Sequence, residues 1–217
     1  MKNDPIRGSI LSMKIISNVD PNLAESLELK PHQKSIGLVT TDLDDTSYTA
    51  LDEATKKADV EVVYARSFYG GAVNANSKLA GEFIGIIAGP DPAEVKSGLI
   101  AIKECMENDA CFYSANEDDS ICYYAYTISR SGSYLSKMAN IPEGDSIAYL
   151  IAPPIEAMYA LDAALKSADV RMCAFYGPPS ETNFGGGLLT GSQSACKAAC
   201  DAFKDAVIYV AENPVEF

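Results

Sequence analysis

Ala50-Leu51-Asp52-Glu53-Ala54-Thr55-Lys56-Lys57-Ala58-Asp59-Val60 recurs later in the chain as Ala160-Leu161-Asp162-Ala163-Ala164-Leu165-Lys166-Ser167-Ala168-Asp169-Val170. Eight of these eleven positions are identical. The match continues outward on both sides. Upstream, Ser35-Ile36-Gly37-Leu38-Val39 pairs with Ser146-Ile147-Ala148-Tyr149-Leu150, Ile16-Ser17 with Ile128-Ser129, and Leu23 with Leu135. Downstream, Gly89–Val95 and Thr190–Cys196 each open a helical pattern. The order of matches is kept and the spacing changes little, except that the connection after the matched strands is nine residues shorter in the second copy. Self-similarity of this kind marks a duplicated unit. Each copy is about 108 residues long, an ordinary domain size, so the sequence predicts two domains, 1–108 and 109–217.

The apolar periodicity assigns the same elements to both copies. Residues 10–17 and 122–128 are β-like, and short helical patterns follow around Leu23–Leu27 and Tyr134–Met138. Ile36–Thr40 and Ile147–Ala152 read as buried strands. Ala50, Leu51, Ala54 and Ala58 share one helical face, as do Leu161, Leu165 and Ala168. Val60–Ala65, Val170–Phe175, Phe83–Ala88 and Leu188–Thr190 are further strands. The last helix of the first copy has Asp91 as its cap, Pro92 at its first position and Glu94 three residues after the cap. Its apolar face is Val95, Leu99, Ile102 and Met106; in the second copy Ser192 caps a face of Cys196, Cys200, Phe203 and Val207. The expected fold is therefore α/β of the α+β kind: two tandem domains, each a ferredoxin-like-sized sheet with helices packed on one side.

Composition narrows the function. Hydrophobic residues make up 47 % of the 217-residue chain, and 17 basic against 30 acidic side chains give a net charge of −13. Nucleic acid demands a basic face, and no Lys/Arg cluster supplies one. No apolar run reaches the roughly 18 residues needed to cross a bilayer. Met1–Ser12 has no basic flank followed by an apolar stretch, so no signal peptide is expected. The six cysteines lie in apolar patterns and read as buried thiols of a cytoplasmic protein.

Few segments carry chemistry. Asp42-Leu43-Asp44-Asp45 lies between a strand and a helix. It fits helix capping, where carboxylates complement the free N–H groups and dipole, and it also fits a cation site. The twelve-residue calcium loop with its closing Glu is absent. Gly185-Gly186-Gly187 is followed by no Lys-Ser/Thr and feeds a strand, which argues against a phosphate loop. The Gly/Asn-rich stretch from Phe68 to Ser77 reads as a mobile loop. His32, the single histidine, lies in a turn beside Pro31, far from any nucleophile-elbow pattern. Cys196 and Cys200 read as core rather than metal ligands, and Glu117-Asp118-Asp119 as a solvated turn. No catalytic constellation and no metal site emerge.

The order of strand, Ala-rich helix, Ala58-Asp59-Val60-Glu61-Val62-Val63 strand, Gly-rich connection, strand and capped helix resembles the bacterial microcompartment (BMC) shell domain. Ala168-Asp169-Val170-Arg171-Met172 repeats the same signature. The family's usual final strand stands instead at the start of each copy, as Ser12–Ile16 and Tyr126–Ile128, like the circularly permuted variety. Ser129–Ser136, Ala148–Pro154, Pro178–Asn183 and Leu189–Cys200 make the chain similar to the tandem shell proteins of ethanolamine-utilising microcompartments. The resemblance implies a homotrimer forming a pseudohexameric tile. It also implies edge-to-edge packing with neighbouring shell proteins around the ethanolamine-degrading enzymes. Small molecules would pass through a gated central pore and small pores; membrane and nucleic acid are not partners, and no cofactor is required. The resemblance places an ethanolamine site at the small pore, on Asp44, Asp45 and Glu82, with Phe112, Thr182, Asn183 and Phe184 completing the pocket. Within that reading Phe68, Tyr69, Gly70, Gly71, Asn74 and Asn76 are the candidate gating loop, with a plain surface loop as the alternative. The same resemblance implies a hairpin at Gly185-Gly186-Gly187. Contact with the cobalamin of the enclosed lyase is left open. The alternative from another class is a cytoplasmic small-molecule-binding regulator or an enzyme built from the duplicated unit.

Overall fold

The computed structural model describes residues 1–68, 79, 81–180 and 183–215. In chain order the elements are β1 (Pro5–Ile6), β2 (Ile10–Ile16), α1 (Pro21–Ser26), β3 (Ser35–Thr41), α2 (Asp44–Lys57), β4 (Glu61–Ser67), β5 (Phe83–Gly89) and α3 (Pro92–Glu104), whose end is a π-helical turn, Cys105–Asp109. The second half holds β6 (Phe112–Ser114), β7 (Cys122–Ile128), α4 (Ser133–Ala139), β8 (Ser146–Ala152), α5 (Pro154–Ser167), β9 (Val170–Tyr176), β10 (Gly185–Gly191) and α6 (Gln193–Glu212). They form two compact units. One comprises Arg7–Ala110 and Gly132–Leu135, the other Met1–Ile6, Cys111–Ser131 and Ser136–Phe217. This division passes close to residue 108, but it also exchanges two short segments that the repeat does not reveal.

In the first-copy unit β2, β3, β5 and β4 lie in that order as an antiparallel sheet. Side chains alternate across a strand, so Gly37, Val39, Gly85 and Ile87 face one way while Ile36, Leu38, Ile86 and Ala88 face the other. The long helices cover the first face: a Cβ on Gly37 would stand 2.9–3.0 Å from Val95 and Leu99 of α3, and one on Gly85 3.0 Å from Leu51 of α2. The short α1 adds cover to the opposite face, where Ala24, Leu27 and Leu29 pack with Ile36, Ile86 and Ala88. Asp91 caps α3 by accepting the N–H groups of Ala93 and Glu94 at 2.7 and 3.0 Å. Val95, Leu99, Ile102 and Met106 are all buried, as their spacing predicts.

The second-copy unit carries a six-stranded sheet ordered β1-β6-β7-β8-β10-β9. Its helix-covered face packs Ala148, Leu150 and Ala152 against Ala160 and Leu161 of α5 and Cys196, Cys200, Phe203 and Val207 of α6. The other face is aromatic, with Tyr124 stacked on Tyr126 at 5.8 Å and edge-on to Tyr149 at 5.3 Å. The Ser192 hydroxyl caps α6 by accepting the Ala195 N–H at 3.1 Å.

The glycine run corrects the hairpin expectation. Gly185–Gly187 is the first half of β10 itself, paired with Ile151 and Leu150 on one side and with Tyr176 and Phe175 on the other. Glycine is required there by close backbone approach. A Cβ on Gly186, at φ 154°, would lie 1.9 Å from the Leu150 carbonyl oxygen, and one on Gly187 would lie 2.5 Å from that of Ala174. Among the described residues no helix is long and apolar enough to cross a membrane.

Candidate functional site

The first-copy unit gathers carboxylates where β3 hands over to α2. The helix starts after Leu43, whose own side chain offers no cap. Hydroxyls tie the turn through its carbonyl instead: Thr41 and Ser47 lie 3.1 and 2.6 Å from the Leu43 carbonyl oxygen, to which each can donate, and 2.7 Å from each other. This tied turn sets Asp44 and Asp45 in the first turn of α2, both nearly buried. The Asp44 carboxylate accepts the Asp45 N–H at 2.9 Å, and Asp42 accepts the Ser9 N–H at 2.5 Å. The helix N-terminus favours this negative charge.

Glu82 joins the cluster from the start of β5. Its N–H donates to the Thr41 carbonyl at 2.8 Å, and its carbonyl accepts the N–H of Phe68 at 3.0 Å. Burial first, and then the negative charges of Asp44 and Asp42, push the Glu82 carboxyl above the ordinary glutamate range. Among the described residues no lysine or arginine pairs with Asp42, Asp44 or Glu82. A cation brought near Glu82 would offset the repulsion from Asp44 and Asp42. Among the described residues no group of three or more His, Cys, Asp or Glu side chains is placed to share a metal ion.

Tyr48, one turn further along α2, walls the cluster. Its hydroxyl pairs with the Ser67 hydroxyl at 2.9 Å, and its ring meets Phe83 edge-on at 4.9 Å and stacks near Tyr134 at 6.3 Å. Burial pushes its phenol up, with the fields of Asp44 and Asp45 adding to the shift. The helical period puts Tyr48 three and four residues from the acidic pair, a signal present in the sequence. Tyr134 comes from the second copy and carries no such signal.

The other residues predicted for the pocket belong to the second-copy unit. Phe112 is buried, 5.2 Å from the Tyr124 ring and 6.1 Å from that of Phe184. Asn183 occupies the left-handed region at φ 66° and donates its N–H to the Ser180 carbonyl at 3.1 Å. Thr182 lies outside the described residues, as do Tyr69, Gly70, Gly71, Asn74 and Asn76 of the expected gating loop; Phe68 ends the described part as a half-buried side chain. His32 is exposed, and Cys196 and Cys200 are core.

The comparison with known proteins settles what this scaffold is. The protein-family model for the BMC domain matches residues 35–116. Over all 217 residues the chain is 68 % identical to the bacterial microcompartment shell protein EutL of Clostridium perfringens, covering 100 % of both chains. The chain belongs to the EutL family of bacterial microcompartment shell proteins. The EutL of Salmonella typhimurium is 52 % identical over 213 residues, 98 % of this chain and 97 % of that one. The crystal structure of ethanolamine utilization protein EutL from Leptotrichia buccalis superposes with a TM-score of 0.98 at 66 % identity, covering 100 % of each chain. The duplicated α/β unit is thus the building block of a structural shell protein of the EutL type, as the sequence resemblance implies.

Proposed function

We propose that the protein forms a homotrimeric, pseudohexameric tile that packs edge to edge with neighbouring shell proteins around the ethanolamine-degrading enzymes. The tile has a gated central pore and smaller pores that bind ethanolamine. The observation that carries the binding half is the carboxylate cluster of Asp42, Asp44, Asp45 and Glu82, with Glu82 pushed upward by burial and like charge. Ethanolamine is an ammonium ion at neutral pH; it relieves that repulsion by donating hydrogen bonds to carboxylates. An aromatic wall suits the same cation.

Self-assembly draws support from a contrast within the repeat. Asp45 and Thr49 are buried on α2. Their counterparts on α5, Ile155 and Tyr159, are 69 % and 53 % exposed, and Met158 and Tyr209 extend the bare patch. A contiguous apolar surface of this kind marks an interaction face. Titration calorimetry with ethanolamine tests the binding half: Asp45→Asn should weaken affinity by about 10- to 150-fold, the equivalent of 1.5–3 kcal/mol for a lost charged hydrogen bond. Equal affinity in Asp45→Asn and Glu82→Gln would remove these residues from the site.

A further inference from the structure

Asp52 and Asp162 are the same position of the repeat, yet they do opposite things. Asp162 lies exposed on α5 and pairs with Lys166 one turn on, at 2.5 Å. Asp52 is fully buried. Its Oδ2 accepts the backbone N–H of Gly132 at 2.7 Å and its Oδ1 that of Leu135 at 2.8 Å. Beside it, Thr55 Oγ1 accepts the N–H of Ser133 at 3.1 Å, and Lys56 Nζ stands 3.7 Å from Oδ2. Two α2 side chains therefore satisfy the free N–H groups at the start of α4, the role a local cap usually fills. Gly132 is fitted to this grip: a Cβ there would lie 2.4 Å from Thr55 Oγ1 and 2.7 Å from the Asp52 carbonyl oxygen. The first copy has Asp20 at the corresponding position, and its own carboxylate caps α1 locally by accepting the Asn22 N–H at 2.9 Å.

Between the gripped amides stands Tyr134, its ring 6.3 Å from that of Tyr48 and within 16° of parallel. Asp45, Tyr48, Asp52 and Thr55 follow one face of α2 at helical spacing. We infer that Asp52 is a positioning residue for the acidic site: its carboxylate clamps Gly132–Leu135 onto α2 and so holds Tyr134 against Tyr48, the wall of the Asp44/Asp45 cluster. The clamp stands on its own geometry; its effect on ligand affinity rests on the ethanolamine reading above. Both carboxylate oxygens are used. Asparagine has a single carbonyl acceptor and would turn N–H groups toward an amide donor, so Asp52→Asn breaks one of the two bonds while keeping the shape.

Amide hydrogen exchange on the full-length protein, read by mass spectrometry, is combined with ethanolamine calorimetry for the wild type, Asp52→Asn and Tyr134→Ala. Asp52→Asn should raise exchange at Gly132–Leu135 at least tenfold and leave β3 and β5 unchanged. Ethanolamine affinity should fall several-fold in both variants, with the double variant no worse than the weaker single. Unchanged exchange in Asp52→Asn overturns the clamp. Faster exchange with wild-type affinity in both variants overturns the positioning role. A wild type that does not bind ethanolamine overturns the ethanolamine reading and the positioning role with it, while exchange still decides the clamp. If Asp52→Asn fails to fold, Thr55→Val, which removes the acceptor of the Ser133 N–H and, with it, the hydroxyl's own hydrogen bond to the Asp52 carbonyl within α2, takes its place with the same outcomes.

Discussion

Glu82→Gln should make the protein more stable and a poorer ligand binder. In the folded chain the Glu82 carboxyl is raised above its ordinary value by burial and by the charges of Asp44 and Asp42. The folded state therefore holds the Glu82 proton more tightly than the unfolded state does. With more protons bound in the folded state, stability falls as pH rises from the unfolded value of 4.5 through the folded pKa. At neutral pH the full cost of the ionised side chain is present, and glutamine removes it. Glu82 is only partly buried, so solvent screening limits the gain to a few tenths up to about 1 kcal/mol. Urea unfolding followed by far-ultraviolet circular dichroism at pH 7.5 and pH 4 measures both ends. The variant should have the higher midpoint at pH 7.5, and the two proteins should converge at pH 4, where the wild-type carboxyl is neutral too. Ethanolamine affinity should move the other way at pH 7.5, down about 10- to 150-fold. Gained stability with lost binding is the signature of a side chain kept for function. A Glu82→Gln protein less stable than wild type at pH 7.5, or equally offset at both pH values, would refute the charge argument.

Gly186→Ala should cost about 2–5 kcal/mol in the same unfolding assay. The estimate combines 1–3 kcal/mol of backbone strain with the weakening of adjoining ladder bonds. Gly144→Ala, also at positive φ but with its nearest neighbours 3.8 Å away, should cost only about 1 kcal/mol; an equally small loss in Gly186→Ala would mean that Gly186 does not lie within a central strand. Burial pushes the Cys105 and Cys200 thiols up to about 12 and that of Cys122 to about 11. At pH 8 all three should therefore resist alkylation until denaturant is added, and rapid labelling of Cys200 in the native protein would contradict its place in the core. Tyr159→Lys, on the exposed α5 face, should leave the unfolding midpoint within about 0.5 kcal/mol of wild type and reduce self-association by light scattering.

The duplication was legible because core positions repeat in kind. The buried faces of β3 and β8, and the apolar stripes of α3 and α6, follow from periodicity and caps that lie close together in sequence. Other features depend on distant chain segments. Pro5–Ile6 is too short to read as a strand and forms one only by pairing with Phe112–Tyr113. The glycine run reads as a turn because glycine weakens strands in general; its place in β10 is set by carbonyls of β8 and β9 that no local pattern reveals. The site divides in the same way. Asp42, Asp44 and Asp45 stand out as a charged knot before a helix, whereas Glu82 enters only through the pairing of β5 with β3. Asp52 shows how a repeat can mislead: identity with Asp162 suggests a common role, but Gly132 exists on one side of the comparison and Asp20 on the other.

Closure of the duplicated shell unit into the proposed three-chain tile fixes the mass of the purified protein in solution. Size-exclusion chromatography with multi-angle light scattering should give three times the 23.1 kDa of the chain, at loading concentrations spanning at least a hundredfold. A single 23.1 kDa species at every concentration would contradict it.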